Sequence, residues 1–243
     1  MKVLNDLLGY DNLKIYQDTE WFSFSLDSVL LPNFVSINKN VTKILDLGTG
    51  NGPIPMILST MVGEKVKIYG IEIQKDLYDL AKESIEYNNL SDKIELINDD
   101  MKNLDKYFEA NSFDVILSNP PYFKLEEESK KNDNTHKTIA RHELKITLED
   151  IIFIAKKYLN NNGVFAIVHR TDRLIEIIEL MRKNNIEPKR IRLIYPKKNT
   201  NSNMVLIEGR KNGNSGLIIE APLYIHNDDG SYLDNINKMF FRR

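Results

Sequence analysis

The chain has 243 residues, 42% of them hydrophobic, and a net charge of −2. That length supports one sizeable core with appendages, with one-domain and two-domain readings both open and the single domain the simpler, no stretch approaches the roughly 18 uninterrupted apolar residues of a membrane span, and the near-neutral balance leaves nucleic-acid binding to local patches. Absence of cysteine excludes a disulfide framework and a thiolate nucleophile, and with no signal-peptide pattern around the early Asp6 a cytosolic protein is expected.

The first strand expected is 43–47, Lys43-Ile44-Leu45-Asp46-Leu47, which runs into Gly48-Thr49-Gly50-Asn51-Gly52 and a helix over 53–62. A Gly-rich turn after a strand also suits nicotinamide dinucleotides, but that fingerprint, laid on Gly48 and Gly50, needs a third glycine where Pro53 stands. Pro53 fits the first turn of a helix, where its missing N–H costs nothing. The loop therefore reads as a close approach for a small ligand, its exposed amides offered to a carboxylate rather than to phosphates. S-adenosylmethionine has such a carboxylate and no phosphate. Asp46, Gly48, Thr49, Gly50, Asn51 and Gly52 are taken as candidate contacts to it.

Glu72 ends the next strand, 66–71, near the offset from Gly48 at which an acidic residue meets ribose hydroxyls, the alternative being a solvated carboxylate. A helix over 75–89 follows, with Leu77, Leu80, Ala81, Ser84 and Ile85 at helical spacing, then a strand over 93–97. Of Asp99 and Asp100, which face opposite sides on an extended segment, one accepts from the adenine of the cofactor, with Asp100 preferred.

After a short helix near 101–108, the strand 113–118 ends in Asn119-Pro120-Pro121-Tyr122. An amino or amide nitrogen conjugated to a ring or carbonyl is a poor nucleophile, so its methylation needs acceptors for its N–H groups as the lone pair localises. The side-chain oxygen of Asn119 and the carbonyl of Pro120 supply two, on a stiff turn that cannot enter a helix, and Tyr122 offers a face for a base. The plain alternative is a strand-ending turn. Catalytic roles are assigned to Asn119, Pro120 and Tyr122, and Asn119 also borders the cofactor.

Beyond a polar segment over 123–140 come a helix near 147–160, ended by Asn160-Asn161-Asn162-Gly163, a strand over 164–169, a helix over 171–184 and strands over 189–195 and 203–209. Such alternation predicts an α/β fold, a Rossmann-like, seven-stranded, mostly parallel sheet with helices on both faces and its ligands at the carboxyl ends of the strands. One domain is expected over 1–243, with an N-terminal extension over 1–42, a catalytic core over 43–210 and a C-terminal appendage over 211–243. His136, His142, His169 and His226 have no metal-ligand spacing, so no metal is expected.

On the glycine loop and the Asn-Pro-Pro-Tyr turn the chain resembles class I S-adenosylmethionine-dependent methyltransferases of the amino-methylating branch. Leu13 to Gln17, Phe24-Ser25-Leu26-Asp27-Ser28-Val29-Leu30-Leu31, Ala140-Arg141-His142-Glu143, Tyr195-Pro196-Lys197-Lys198 and Pro222 to Ile225 narrow the likeness to the bacterial tRNA1(Val) (adenine-37-N6)-methyltransferases. The resemblance implies adenine 37, in a tRNA anticodon loop, as substrate, and no membrane partner; a monomer is expected. Met204 departs from the basic residue expected there. Asp27 reads either as a pocket residue or as a helix N-cap, and Arg141 and His142 as substrate contacts or surface. Basic clusters at Lys189-Arg190-Ile191-Arg192, Lys197-Lys198 and 238–243 are candidates for the tRNA backbone. A protein-glutamine or guanine-N2 methyltransferase, and an RNA-binding module without catalysis, are the alternatives.

Overall fold

The computed structural model describes residues 1–7, 10–18, 26–121, 146–234, 236 and 237. Its framework is a sheet of nine strands. In chain order these are β3 (Lys43–Leu47), β4 (Lys67–Glu72), β5 (Ile94–Asn98), β6 (Phe113–Ser118), β7 (Leu159–Arg170), β8 (Ile186–Tyr195), β9 (Met204–Lys211), β10 (Ile218–Ile219) and β11 (Leu223–Tyr224). Their spatial order is β10-β8-β9-β7-β6-β3-β4-β5, with β11 also on β8. Only β9 runs antiparallel to its neighbours within this sheet. The expected seven strands are all present. The two extra ones are short pieces of the C-terminal appendage that pair with the outer side of β8, which would otherwise stand open as an edge.

Strand β3 shows why the sheet is central: Ile44, Leu45, Asp46 and Leu47 are all buried, because a parallel strand with helices on both faces has no wet side. Helices α1 (Leu26–Phe34), α2 (Pro53–Met61) and α3 (Lys75–Tyr87) contribute Leu31, Ile57 and Ile85 to the core on one face. Helices α4 (Leu148–Tyr158) and α5 (Leu174–Lys183) contribute Ile152 and Ile177 to the core on the other. A capping box between Thr147 and Asp150 starts α4. That helix stops at Tyr158 rather than at the asparagine run, since Leu159 is already extended and pairs with Phe113 of β6. The segment near 101–108 is a 3-10 turn, Met101–Lys106.

Within the N-terminal extension, β1 (Lys2–Leu7) and β2 (Tyr10–Asp18) form a separate antiparallel hairpin. Leu13, Ile15 and Gln17 are buried at period two, with Ser84 of α3 accepting from the Tyr16 N–H at 2.9 Å. Among the described residues, no helix is long and apolar enough to cross a membrane.

Candidate active site

The chain runs from β3 outward through β4 to β5, then returns to lay β6 on the opposite side of β3. Such a reversal opens a crevice at the carboxyl ends of the two diverging strands, where open α/β sheets hold their ligands. Leu47 and Ser118 are partners across it, and the Ser118 hydroxyl donates to the Leu47 carbonyl at 3.0 Å. The next residues, Gly48 and Asn119, leave the sheet side by side, about one strand spacing of 4.8 Å apart.

The loop after β3 holds Gly48, Gly50 and Gly52 at φ of 74°, 59° and 88°, a left-handed region that favours glycine. Gly52 precedes Pro53, the first residue of α2. The loop amides, however, are turned inward. Gly48 and Thr49 both donate to the Ile71 carbonyl at 3.0 Å, and Gly52 donates to Thr49 at 3.0 Å. Gly50 donates to Glu72 Oε2 at 2.9 Å. The expectation of amides offered to a carboxylate is thus corrected at these four positions: the loop uses them to close on the end of β4. Glycine at 70 permits that closure, since a Cβ there would stand 3.0 Å from the Thr49 side chain.

Glu72 is buried, and its second oxygen accepts from the Gln74 N–H at 2.9 Å. Burial raises its pKa, opposed by the N–H groups of Gln74 and Gly50. Asp46 is fully buried and raised to about 7 by burial, with the nearby Thr49 hydroxyl opposing and the Glu72 charge adding. Among the described residues, neither Asp46 oxygen, nor the Thr49 hydroxyl, has a partner in hydrogen-bonding geometry. The two aspartates after β5 differ. Asp99 accepts from Asn103, Lys106, Tyr107 and the Asp100 N–H, which together hold its carboxyl well below the usual range. Asp100 accepts through Oδ1 from the Lys102 N–H, leaving Oδ2.

On the β6 side Asn119 is half-buried, Pro120 buried and Pro121 exposed. The Asn119 amide nitrogen donates to the hydroxyl of Ser28 at 3.2 Å. Ser28 and Asp27 are both buried within the first turn of α1, so Asp27 lies inside that turn rather than ahead of it. Tyr122, the segment 123–140, Arg141 and His142 fall outside the described residues.

The family described as "Methyltransferase domain" matches residues 38–211, which run from before β3 to the end of β9. The chain belongs to that family. A tRNA1(Val) (adenine(37)-N6)-methyltransferase of Bacteroides thetaiotaomicron is 29% identical to it over 168 residues, 69% of this chain and 68% of that protein. The protein of the same name from Parabacteroides distasonis is 27% identical over 206 residues, 84% of this chain and 83% of its own length. A solved structure of a predicted O-methyltransferase from Agrobacterium tumefaciens shares the fold at a TM-score of 0.70 and 21% identity, covering 88% of this chain and 95% of that one.

Around the methyltransferase crevice lie groups that the motifs did not single out. Ser28 is one. The hairpin is another: Asn51 Nδ2 donates to the Tyr16 carbonyl at 3.0 Å, tying β2 to the glycine loop, and Gln17 is buried beside it. The signal for the hairpin was the alternation Leu13, Ile15, Gln17, and Ser28 carried none beyond its place in the segment Phe24 to Leu31. The basic cluster 189–192 lies along β8, not at the carboxyl edge. Arg190 pairs with Glu208 at 3.3 Å and Glu220 at 2.7 Å and donates to the Phe34 carbonyl, while Lys189 reaches the Asn214 carbonyl. These two residues staple α1 and the appendage to the sheet, which corrects their candidacy for RNA. Lys197 and Lys198 remain exposed on the loop that leaves the carboxyl end of β8, and 238–243 lie outside the described residues.

Proposed function

We propose that this methyltransferase transfers a methyl group from S-adenosylmethionine to N6 of an adenine in tRNA, adenine 37 of a valine tRNA. One observation carries the reading: the pairing of Leu47 with Ser118 sets the glycine loop and Asn119 against each other across the crevice. The names of the relatives supply the substrate.

The residues of the crevice fit the cofactor. Asp46, Thr49 and Gln17 present buried polar atoms with no partner among the described residues, an arrangement that a polar ligand relieves. Glu72 would take the ribose hydroxyls and Asp100 the adenine amine, while the glycine loop lets the ligand lie close to the backbone. When bound, the cofactor offers a methyl group activated by its sulfonium. The chain then has to present a nitrogen to it. The Asn119 side-chain oxygen and the Pro120 carbonyl accept the two N6 hydrogens, drawing the lone pair out of conjugation and holding N6 in line. The amine proton can leave after transfer, so no strong base is required. Among nearby groups, His169 at the end of β7 has its pKa pushed down to about 4 by burial and then by the Arg173 charge, and it stays neutral. Tyr122 would supply the stacking face for the extruded base, and Lys197 and Lys198 would meet phosphates of the anticodon loop.

The test is to incubate the enzyme with labelled cofactor and unmodified tRNA and map the methylated nucleoside by mass spectrometry. Label on N6 of the adenine beside a valine anticodon is the expected result. Label on guanine or on a protein glutamine instead would move the substrate while leaving fold and cofactor in place.

A further inference from the structure

We infer that Gln17, on the hairpin and outside the glycine motif, donates a hydrogen bond from Nε2 to the amino-acid carboxylate of the cofactor. The inference rests on the cofactor assigned above and starts from a shortage. A carboxylate laid on this loop would need N–H donors, yet the amides of Gly48, Thr49, Gly50 and Gly52 already bond to Ile71, Glu72 and Thr49. That leaves the Asn51 N–H as the loop's remaining backbone donor, too few for a carboxylate with two oxygens, and the hairpin that could add one is tied to the loop by the bond from Asn51 Nδ2 to the Tyr16 carbonyl.

The next residue is Gln17, 6% exposed, with its Nε2 buried and without a hydrogen-bond partner among the described residues. Its other end is fixed, because Oε1 accepts from Asn5 Nδ2 at 2.7 Å. An amide with its oxygen engaged in this way presents only donors from its nitrogen, so the orphan group is complementary to an anion and not to a cation. Buried donors without partners are rare in folded proteins, and a ligand group is one of the few explanations that also keeps the site functional. Strand position contributes: Leu13, Ile15 and Gln17 share the buried side of β2, so the glutamine sets a buried amide where the row otherwise carries aliphatic side chains, and the Asn5 bond accounts for only its oxygen end.

The experiment compares wild type with Gln17→Leu by calorimetry, using S-adenosylhomocysteine and 5′-methylthioadenosine, which keeps the nucleoside and thioether but lacks the amino-acid end. Affinity for S-adenosylhomocysteine is expected to fall at least about tenfold, the size of a lost bond to a charged group. Affinity for 5′-methylthioadenosine should stay unchanged, whatever the loss of the Asn5 bond does to the melting temperature of the ligand-free protein. Equal S-adenosylhomocysteine binding by both proteins, or parallel weakening of both ligands, overturns the inference. Should Gln17→Leu fail to fold, Gln17→Glu keeps the shape and places an anion where the donor was; undiminished S-adenosylhomocysteine affinity in that variant overturns it equally. A wild type that binds neither ligand would overturn the cofactor reading and this inference with it, which separates the two failures.

Discussion

The two sides of the crevice are built by different means. On the β3 side, Glu72 bridges the N–H groups of Gly50 and Gln74, and Ile71 takes those of Gly48 and Thr49, so loop and strand end hold each other over 22 or 23 residues of sequence. On the β6 side, Asn119 meets Ser28, a residue 91 positions away on a helix of the N-terminal extension. One side is a closed local circuit of backbone hydrogen bonds. The other depends on two distant elements being packed correctly. Substitutions on the first side should therefore register in stability and cofactor affinity, and those on the second in turnover.

The largest effect expected is on the closed side. Asp46 is buried, with no partner in hydrogen-bonding geometry among the described residues, and burial raises its pKa from 3.8 to about 7 against the opposing Thr49 hydroxyl. Below about pH 4 the folded and unfolded chains both hold the proton. Between there and about pH 7 the unfolded chain has released it while the folded one keeps it, so rising pH removes stability, by up to about 4 kcal/mol once ionisation is complete. Asp46→Asn cannot ionise. Subtracting its pH–stability curve from that of the wild type, both ligand-free, should leave a fall across this window; parallel curves would show that Asp46 ionises freely in the fold.

Asn119→Ala addresses the other side. Removing one preorganised acceptor at the reacting nitrogen should lower kcat by about two to three orders of magnitude, the range found for single oxyanion-hole donors, with the cofactor Kd little changed. Turnover near that of the wild type would remove Asn119 from the chemistry. A large loss of cofactor affinity would erase the contrast between the two sides.

Glu72→Ala is smaller and sharpens the contrast from the closed side. The carboxylate would serve the ribose while anchoring Gly50 and Gln74, so cofactor binding should weaken by about 1.5 to 3 kcal/mol by calorimetry, with a fall in the melting temperature of the free protein as two N–H groups lose their acceptor. Affinity loss without any stability loss would mean that the loop stands without its bridge.

How much of this was legible follows the same division. The strands 43–47 and 113–118 appear within their expected bounds because each is a short apolar run closed by glycine or by Asn-Pro, signals contained in five or six residues. What the loop amides do was not legible: Gly-x-Gly-x-Gly specifies left-handed backbone, but only the arrival of β4 decides whether the N–H groups turn toward ligand or toward Ile71. The hairpin left a readable period of two in Leu13, Ile15 and Gln17, whereas β10 and β11, two residues each, are defined by the edge of β8 and carry no pattern of their own. The cluster 189–192 shows the limit most clearly, since a run of cations looks the same whether it meets phosphate or, as with Arg190, the carboxylates of Glu208 and Glu220.

Ser28→Ala is the mildest of the tests and the most specific to the open side. The recorded bond runs from Asn119 Nδ2 to the Ser28 hydroxyl, so the nitrogen end of the amide faces α1 and the oxygen is turned away from it. Because that bond is long and neutral, its removal should cost about 1 kcal/mol, roughly a fivefold loss in kcat, through an amide that is less well held. Ser28 is 6% exposed in the first turn of α1, and its replacement by alanine removes a single oxygen atom. Ser28→Thr keeps the hydroxyl and should recover most of the loss. In the double variant with Asn119→Ala, the Ser28 substitution should cost nothing further, since the group it positions is gone. An additive loss there, or an equal loss of cofactor affinity in Ser28→Ala alone, would make Ser28 a packing residue of α1 and leave Asn119 held by the end of β6.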